Sequence, residues 1–178
     1  MAKLKKGVAY RKLERPYTRY SKYRNKAFIR TIPAMKLVRF DMGNLQKEFD
    51  TEVDMILKAG IQVRQESIES ARQASNRYLE KYVGKANYHM KIRAYPFHIL
   101  RENPLAQGAG ADRFSTGMAH PFGKVIGRAA QVKYGQTLFS VYTSKDYVKQ
   151  VMTAMQKGKN KLPCRCQITV GPVKSKIN

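Results

Sequence analysis

The sequence predicts an α+β fold, two helices on a mostly antiparallel sheet. Three observations carry this: apolar and polar residues alternate in several separate segments, two other segments place apolar residues at helical spacing, and strands and helices do not alternate strictly. At 178 residues the chain fits one domain with extensions rather than two domains. The expected organisation is a basic arm over residues 1–36, a single domain over 37–170 with a long internal loop at 101–118, and a basic tail over 171–178. Apolar residues make up 43% of the chain, enough for a real core.

Taken in order, the segment from Lys47 to Leu57 puts Phe49, Thr51, Val53, Met55 and Leu57 on one face and Glu48, Asp50, Glu52 and Asp54 on the other, the pattern of a half-buried strand. The stretch QESIESARQASNRYLEKYVG places Ile68, Ala71, Ser75, Tyr78, Leu79 and Tyr82 at helical spacing, with Ser67 in position to cap its start and Gly84 to stop it. Tyr88, Met90, Ile92 and Ala94 then alternate, and the pattern restarts after Pro96 with Phe97 and Ile99, giving two strands or one broken strand. VIGRAAQVKYGQTLFSVYT reads as two further strands meeting at Tyr134-Gly135-Gln136. Ser144 is placed to cap a second helix that packs through Val148, Val151, Met152 and Met155, and CRCQITV supplies the last strand. No repeat of 20 to 50 residues is present, which sets aside solenoids and propellers.

Charge is the strongest functional clue. The chain carries 35 Lys and Arg against 12 Asp and Glu, a net of +23, where soluble domains carry a magnitude of roughly 2 to 8. Self-repulsion on that scale calls for a polyanion, and nucleic acid fits best because each neutralised phosphate releases condensed counterions. The charge is also segregated: residues 1–40 sum to +12, residues 41–100 to +1 and residues 101–178 to +10. A membrane surface is the competing polyanion. However, no apolar run approaches the roughly 20 residues of a membrane span, and MAKLKKGVAY lacks the apolar stretch of a signal peptide, so a cytoplasmic location is expected.

The first arm interleaves tyrosines with cations and shows no sustained periodicity, so an extended conformation is expected of it. Tyr17, Tyr20 and Tyr23 stand among Lys5, Lys6, Arg11, Lys12, Arg15, Arg19, Lys22, Arg24, Lys26 and Arg30. Cations for phosphates with rings for splayed bases suit RNA, whereas a merely solvating tail needs no tyrosines. Lys124 and Arg128 are taken as further RNA contacts. Arg72, Arg77 and Lys81 of the first helix form either a second cationic surface or ordinary helix solubilisers.

Catalytic chemistry finds little support. Four carboxylates along one strand resemble a two-metal hydrolytic site, but they share a single element, no ligands converge from others, and neither His nor Lys stands by as a base. Gly108-Ala109-Gly110-Ala111-Asp112 resembles a phosphate loop but lacks the Gly-Lys-Ser/Thr ending and a following helix. His89, His98 and His120 lie apart with no nucleophile motif. Cys164 and Cys166 share a face of a strand and have the CxxC spacing of neither a redox nor a zinc motif, which makes them reduced structural residues. No cofactor, metal or catalytic residue is therefore assigned.

RENPLAQGAGADRFSTGMAHPFGK is too long for an idle connection, since structureless loops beyond about 12 to 15 residues are usually functional or disordered. FHILRENPLAQGAGADRFSTGMAHPFGK, together with RPYTRY, IPAMKLVRFDMGN and ESARQASNRYLEKYVG, resembles the universal large-subunit ribosomal protein family counted as sixteen in bacteria and ten in eukaryotes. The resemblance is to the archaeal and eukaryotic branch and spans roughly residues 8–170. MAHPFGK departs from the more basic or alanine-rich stretch that other members often carry after this loop. The resemblance implies an α/β-hammerhead fold, binding to large-subunit rRNA near 5S rRNA beside neighbouring ribosomal proteins, and a loop at 101–118 directed towards the peptidyl-transferase centre and the tRNA acceptor end. On that pattern Arg101 and Arg113 would contact backbone phosphates, while Gly108, Gly110 and Asp112 would set the loop's path. Two other readings stay open at this point: a metal-dependent nuclease using the carboxylate row, and a DNA-packaging protein.

Overall fold

The computed structural model describes residues 6–11, 13, 31–102, 109 and 124–173. Among these residues eight strands run in chain order: β1 (Asp41–Gly43), β2 (Thr51–Leu57), β3 (Ile61–Arg64), β4 (Tyr88–Ile92), β5 (His98–Glu102), β6 (Lys124–Val132), β7 (Thr137–Thr143) and β8 (Cys166–Pro172). Helix α1 (Val8–Arg11) is one turn, while α2 (Gln65–Tyr82) and α3 (Val148–Lys159) are long enough to carry a packed face. The strands form two sheets, of order β1-β4-β7-β2-β8 and β3-β6-β5, and every strand pair is antiparallel. The α+β class expected from the sequence is what forms.

Register decides what the larger sheet buries. Met90, Val141 and Val53 stand opposite one another across β4, β7 and β2, as do Ile92, Phe139 and Met55, and all six are buried. Side chains alternate along a strand, so the rows between them, His89–Tyr142–Glu52 and Lys91–Ser140–Asp54, point to the other face. A slip of one residue would exchange the two sets. The helical layer covers the apolar rows: α3 packs on β2, β7 and β8, and α2 packs along α3. Ile68, Ala71, Ser75 and Leu79 of α2 face Val151, Ala154, Met155 and Gly158 of α3, all buried.

Several local expectations change. β2 begins at Thr51, not Lys47, and Glu52 is buried beneath Arg93 instead of lying on an open polar face. Helix α2 starts at Gln65, with no side-chain cap, because β3 runs straight into it through the extended backbone of Arg64; Ser67 is therefore already inside the first turn. Its end is as expected: Gly84 takes φ 83° and its N–H donates to Leu79 O at 3.1 Å, closing the last turn through a left-handed residue. Ser144 makes no cap bond either, since a 3₁₀ turn over Lys145–Tyr147 leads into α3. β6 and β7 do meet at Gly135, but they belong to different sheets, so this turn is a corner and not a hairpin.

Met152 is 41% exposed, because the buried stripe of α3 follows 151, 154, 155 and 158 and leaves 152 to one side. Tyr82 is 52% exposed in the last turn of α2, with its ring against Tyr78 and not in the core. The one-turn helix Val8–Arg11 interrupts the arm that was expected to be extended.

Candidate RNA-binding surface

Of the cations expected to contact RNA, the structure describes five: Lys6, Arg11, Arg101, Lys124 and Arg128. Lys5, Lys12, Arg15, Tyr17, Arg19, Tyr20, Lys22, Tyr23, Arg24, Lys26 and Arg30 lie outside the described residues, as do Gly108, Gly110, Asp112, Arg113 and His120. Lys6 and Arg11 are exposed at the two ends of the short α1 segment. That segment rests on β3, and Leu13 lies where a side chain at Gly60, just before β3, would touch it.

Residues 31–37 are tied to the body by specific contacts. Arg128 Nε donates to Pro33 O at 2.8 Å, the Lys36 N–H donates to Gln65 Oε1 at 3.0 Å, and Lys36 Nζ pairs with Glu66 at 3.2 Å. Leu37 is fully buried. Arg128 thus holds the chain's own backbone through Nε, a role its position in the sequence did not suggest.

At the root of the long loop, β5 ends opposite the beginning of β6, with Glu102 paired to Lys124 in register. Lys124 is exposed. Arg101 turns inward instead: it is 3% exposed, burial lowers its pKa below the usual guanidinium value, and its Nη1 has no hydrogen-bond partner among the described residues. The guanidinium is thus buried at the root of the loop.

Several other polar groups are engaged in structure. Arg93 bridges Ser140 Oγ at 2.8 Å, Glu52 Oε1 at 3.0 Å and the Tyr142 hydroxyl, while the Ser140 hydroxyl donates to Asp54. Two members of the carboxylate row are thereby held by an arginine and a serine, and Glu48 and Asp50 stand exposed before the strand begins. His89 lies 3.0 Å from Asp41 and stacks on Tyr142. His98 is buried in β5 against Phe97. The two cysteines are free thiols with sulfurs 4.0 Å apart; the Cys164–Cys166 hydrogen bond raises the Cys164 pKa and lowers that of Cys166.

The cations of α2 divide into two kinds. Arg72 forms a bidentate pair with Glu69 and also reaches Met42 Sδ at 3.2 Å, so its charge is locally neutralised. Lys81 lies 5.3 Å from the centre of the Tyr82 ring, and Lys157 of α3 lies 4.2 Å from the centre of the Tyr78 ring. The sequence reading missed Lys157 because a cation–aromatic contact between two helices leaves no local pattern. Among the described residues no helix is long and apolar enough to cross a membrane.

The Ribosomal protein L16p/L10e family model matches residues 15–169. The chain is 44% identical over 146 residues to the large ribosomal subunit protein uL16 of Methanoculleus marisnigri, covering 82% of this chain and 86% of that one. It is 43% identical over 148 residues to the uL16 of Methanospirillum hungatei (83% and 87% covered). With the uL16 of Methanosphaerula palustris it shares 42% identity over 167 residues (93% of each). The chain belongs to the Ribosomal protein L16p/L10e family, in its archaeal branch, and is a structural constituent of the cytoplasmic large ribosomal subunit rather than an enzyme.

Proposed function

We propose that the chain binds large-subunit rRNA through its basic N-terminal arm and C-terminal tail, in the neighbourhood of 5S rRNA and of other ribosomal proteins, and that its body positions the 101–118 loop towards the peptidyl-transferase centre and the tRNA acceptor end. The observation that carries this reading is the segregation of charge: +12 over residues 1–40 and +10 over residues 101–178, against +1 over residues 41–100. Phosphate contacts from the ends supply affinity, while the rigid body supplies shape, which is how most structured RNA is recognised. Lys5, Lys6, Arg11, Lys12, Arg15, Arg19, Lys22, Arg24, Lys26 and Arg30 neutralise phosphates, with Lys124 and Arg128 added at the sheet. Tyr17, Tyr20 and Tyr23 stack on unpaired bases. Gly108, Gly110 and Asp112 set the loop's path, and Arg113 contacts backbone phosphates, the role also expected of Arg101, which is buried at the loop's root.

Sucrose-gradient fractionation at moderate and then high salt tests the first part, with the chain followed by mass spectrometry. Co-migration with large subunits through the salt wash is expected; a chain in the free pool or moving with DNA would overturn it. Deleting residues 1–30 removes eleven Lys and Arg and is expected to release the chain at lower salt, because each lost phosphate contact reduces the salt slope by roughly 0.7 to 0.9. For the loop, a photoreactive group on the 3′ end of tRNA bound to the large subunit should label peptides from 101–118. Labelling confined to other proteins would refute that assignment.

A further inference from the structure

The Tyr78–Tyr82 pair on α2 is a candidate nucleic-acid contact lying in neither basic end nor the loop. Its two rings have centroids 4.4 Å apart at 36°, and Tyr82 is 52% exposed. Lys157 and Lys81 cover the two rings from different helices. Arg77 and Lys85 are exposed nearby in sequence. Among the described residues none of these four cations has a carboxylate within ion-pair distance. The neighbouring carboxylate, Glu80, accepts from Asn76 Nδ2 at 2.9 Å.

A large ring half open to solvent, in contact with a second ring and flanked by ammonium groups that no described carboxylate holds, has the chemistry of a stacking platform for single-stranded nucleic acid. The ring receives a base face, and the cations receive the phosphates on either side. Phosphate complementarity also distinguishes this occupant from a protein partner, which would have to bring its own anions to satisfy Lys81 and Lys157.

We infer that Tyr82, backed by Tyr78 and flanked by Lys157 and Lys81, stacks on an unpaired base of the RNA to which this chain binds, forming a contact separate from the basic ends. The inference rests on the proposed function, since it presumes that RNA is the ligand.

The chain contains no Trp, so Tyr82→Trp in the full chain places a lone indole whose fluorescence reports on that position alone. Titration with a single-stranded 12-nucleotide adenylate should quench it, and a 12-base-pair RNA duplex should not, because paired bases offer no free face. Adding Lys157→Gln should raise the half-quenching concentration roughly two- to fivefold, as expected for one exposed ion pair, and lower the salt slope by about 0.7. Lys157→Arg should leave both unchanged. Quenching by both RNAs or by neither, in a chain that still binds RNA in a gel-shift assay, would overturn this inference alone. A chain that binds no RNA at all would overturn the proposed function along with it.

Discussion

Gly158 of α3 lies against Ser75 and Ala71 of α2, and its substitution tests how the helical layer is held together. A Cβ added there would stand 2.3 Å from Ser75 Oγ, 3.4 Å from Ala71 O and 3.7 Å from Met55 Cε. Helix propensity alone favours Gly158→Ala by about 1 kcal/mol. Against that, Ser75 Oγ donates to Ala154 O at 3.1 Å in a fully buried position. To admit the methyl group, Ser75 must rotate off its acceptor and leave a buried hydroxyl unsatisfied, or the helices must separate. Either response costs about 1–3 kcal/mol. The net expectation for Gly158→Ala is a loss of roughly 1 kcal/mol.

In a Ser75→Ala background the obstructing oxygen is gone and only the propensity gain remains, so the same substitution should stabilise by about 1 kcal/mol. The coupling between the two sites is then about 2 kcal/mol, well above the few tenths seen for independent sites. Urea unfolding followed by far-ultraviolet circular dichroism measures all four members of the cycle. A stabilising Gly158→Ala in the wild-type background, or equal effects in both backgrounds, would refute the reasoning.

Three further perturbations probe the body. Tyr88 is fully buried and donates to Asn76 Oδ1 at 2.7 Å, and burial, aided by Glu80, pushes its pKa up to about 12. An unfolded tyrosine ionises near 10, so this stability is complete below pH 10 and falls by about 2–3 kcal/mol as pH rises through 12; the wild type's lead over Tyr88→Phe should vanish or reverse there in urea melts, and a constant lead would refute it. Glu69 is held below the usual carboxylate range chiefly by its hydrogen bond from Arg72. Its contribution is present above the unfolded pKa near 4.3 and is lost as pH falls through the lowered folded value, so Glu69→Gln should be less acid-sensitive than the wild type. Arg93→Met strands the buried Glu52 carboxylate and should cost about 1–3 kcal/mol, below the range for fully buried pairs because Arg93 is 41% exposed; adding Glu52→Gln should recover most of the loss, and a thermal melt showing no recovery would count against the pair.

What the sequence made legible was local. Period-two alternation located β2, β4 and β7, and Gly84 marked the end of α2, because each signal lies within a few residues of the feature it predicts. Division of the strands into two sheets was hidden, since β3 pairs with β6 and β7 with β2 across long separations, and neither pairing leaves a mark on alternation. The start of α2 was misplaced because β3 runs straight into it through the extended backbone of Arg64, with no side-chain cap to mark the boundary. At the candidate surface, charge and aromatic content pointed to the partner, but roles depended on tertiary neighbours. Arg101 turned inward, Arg128 took Pro33, and Lys157 joined Tyr78 from another helix.

These tertiary roles bear on how a basic chain can place a long loop. Free cations attract RNA without fixing orientation, so the direction of the loop has to come from its root. The β5–β6 ladder runs to Glu102 and Lys124, and Arg101 is buried beside that closure. β6 in turn pairs with β3, which leads directly into α2, and its Arg128 holds Pro33 at the end of the N-terminal arm. The same strand therefore connects the loop, the arm and the helical layer. Arg128→Met should accordingly loosen the arm without unfolding the sheet, since the ladder carries β6 while the guanidinium carries Pro33. Limited proteolysis cutting faster near residues 31–36, with an unchanged melting temperature, is the expected result, and equal cutting in both proteins would show that the arm is held by Leu37 and Lys36 alone.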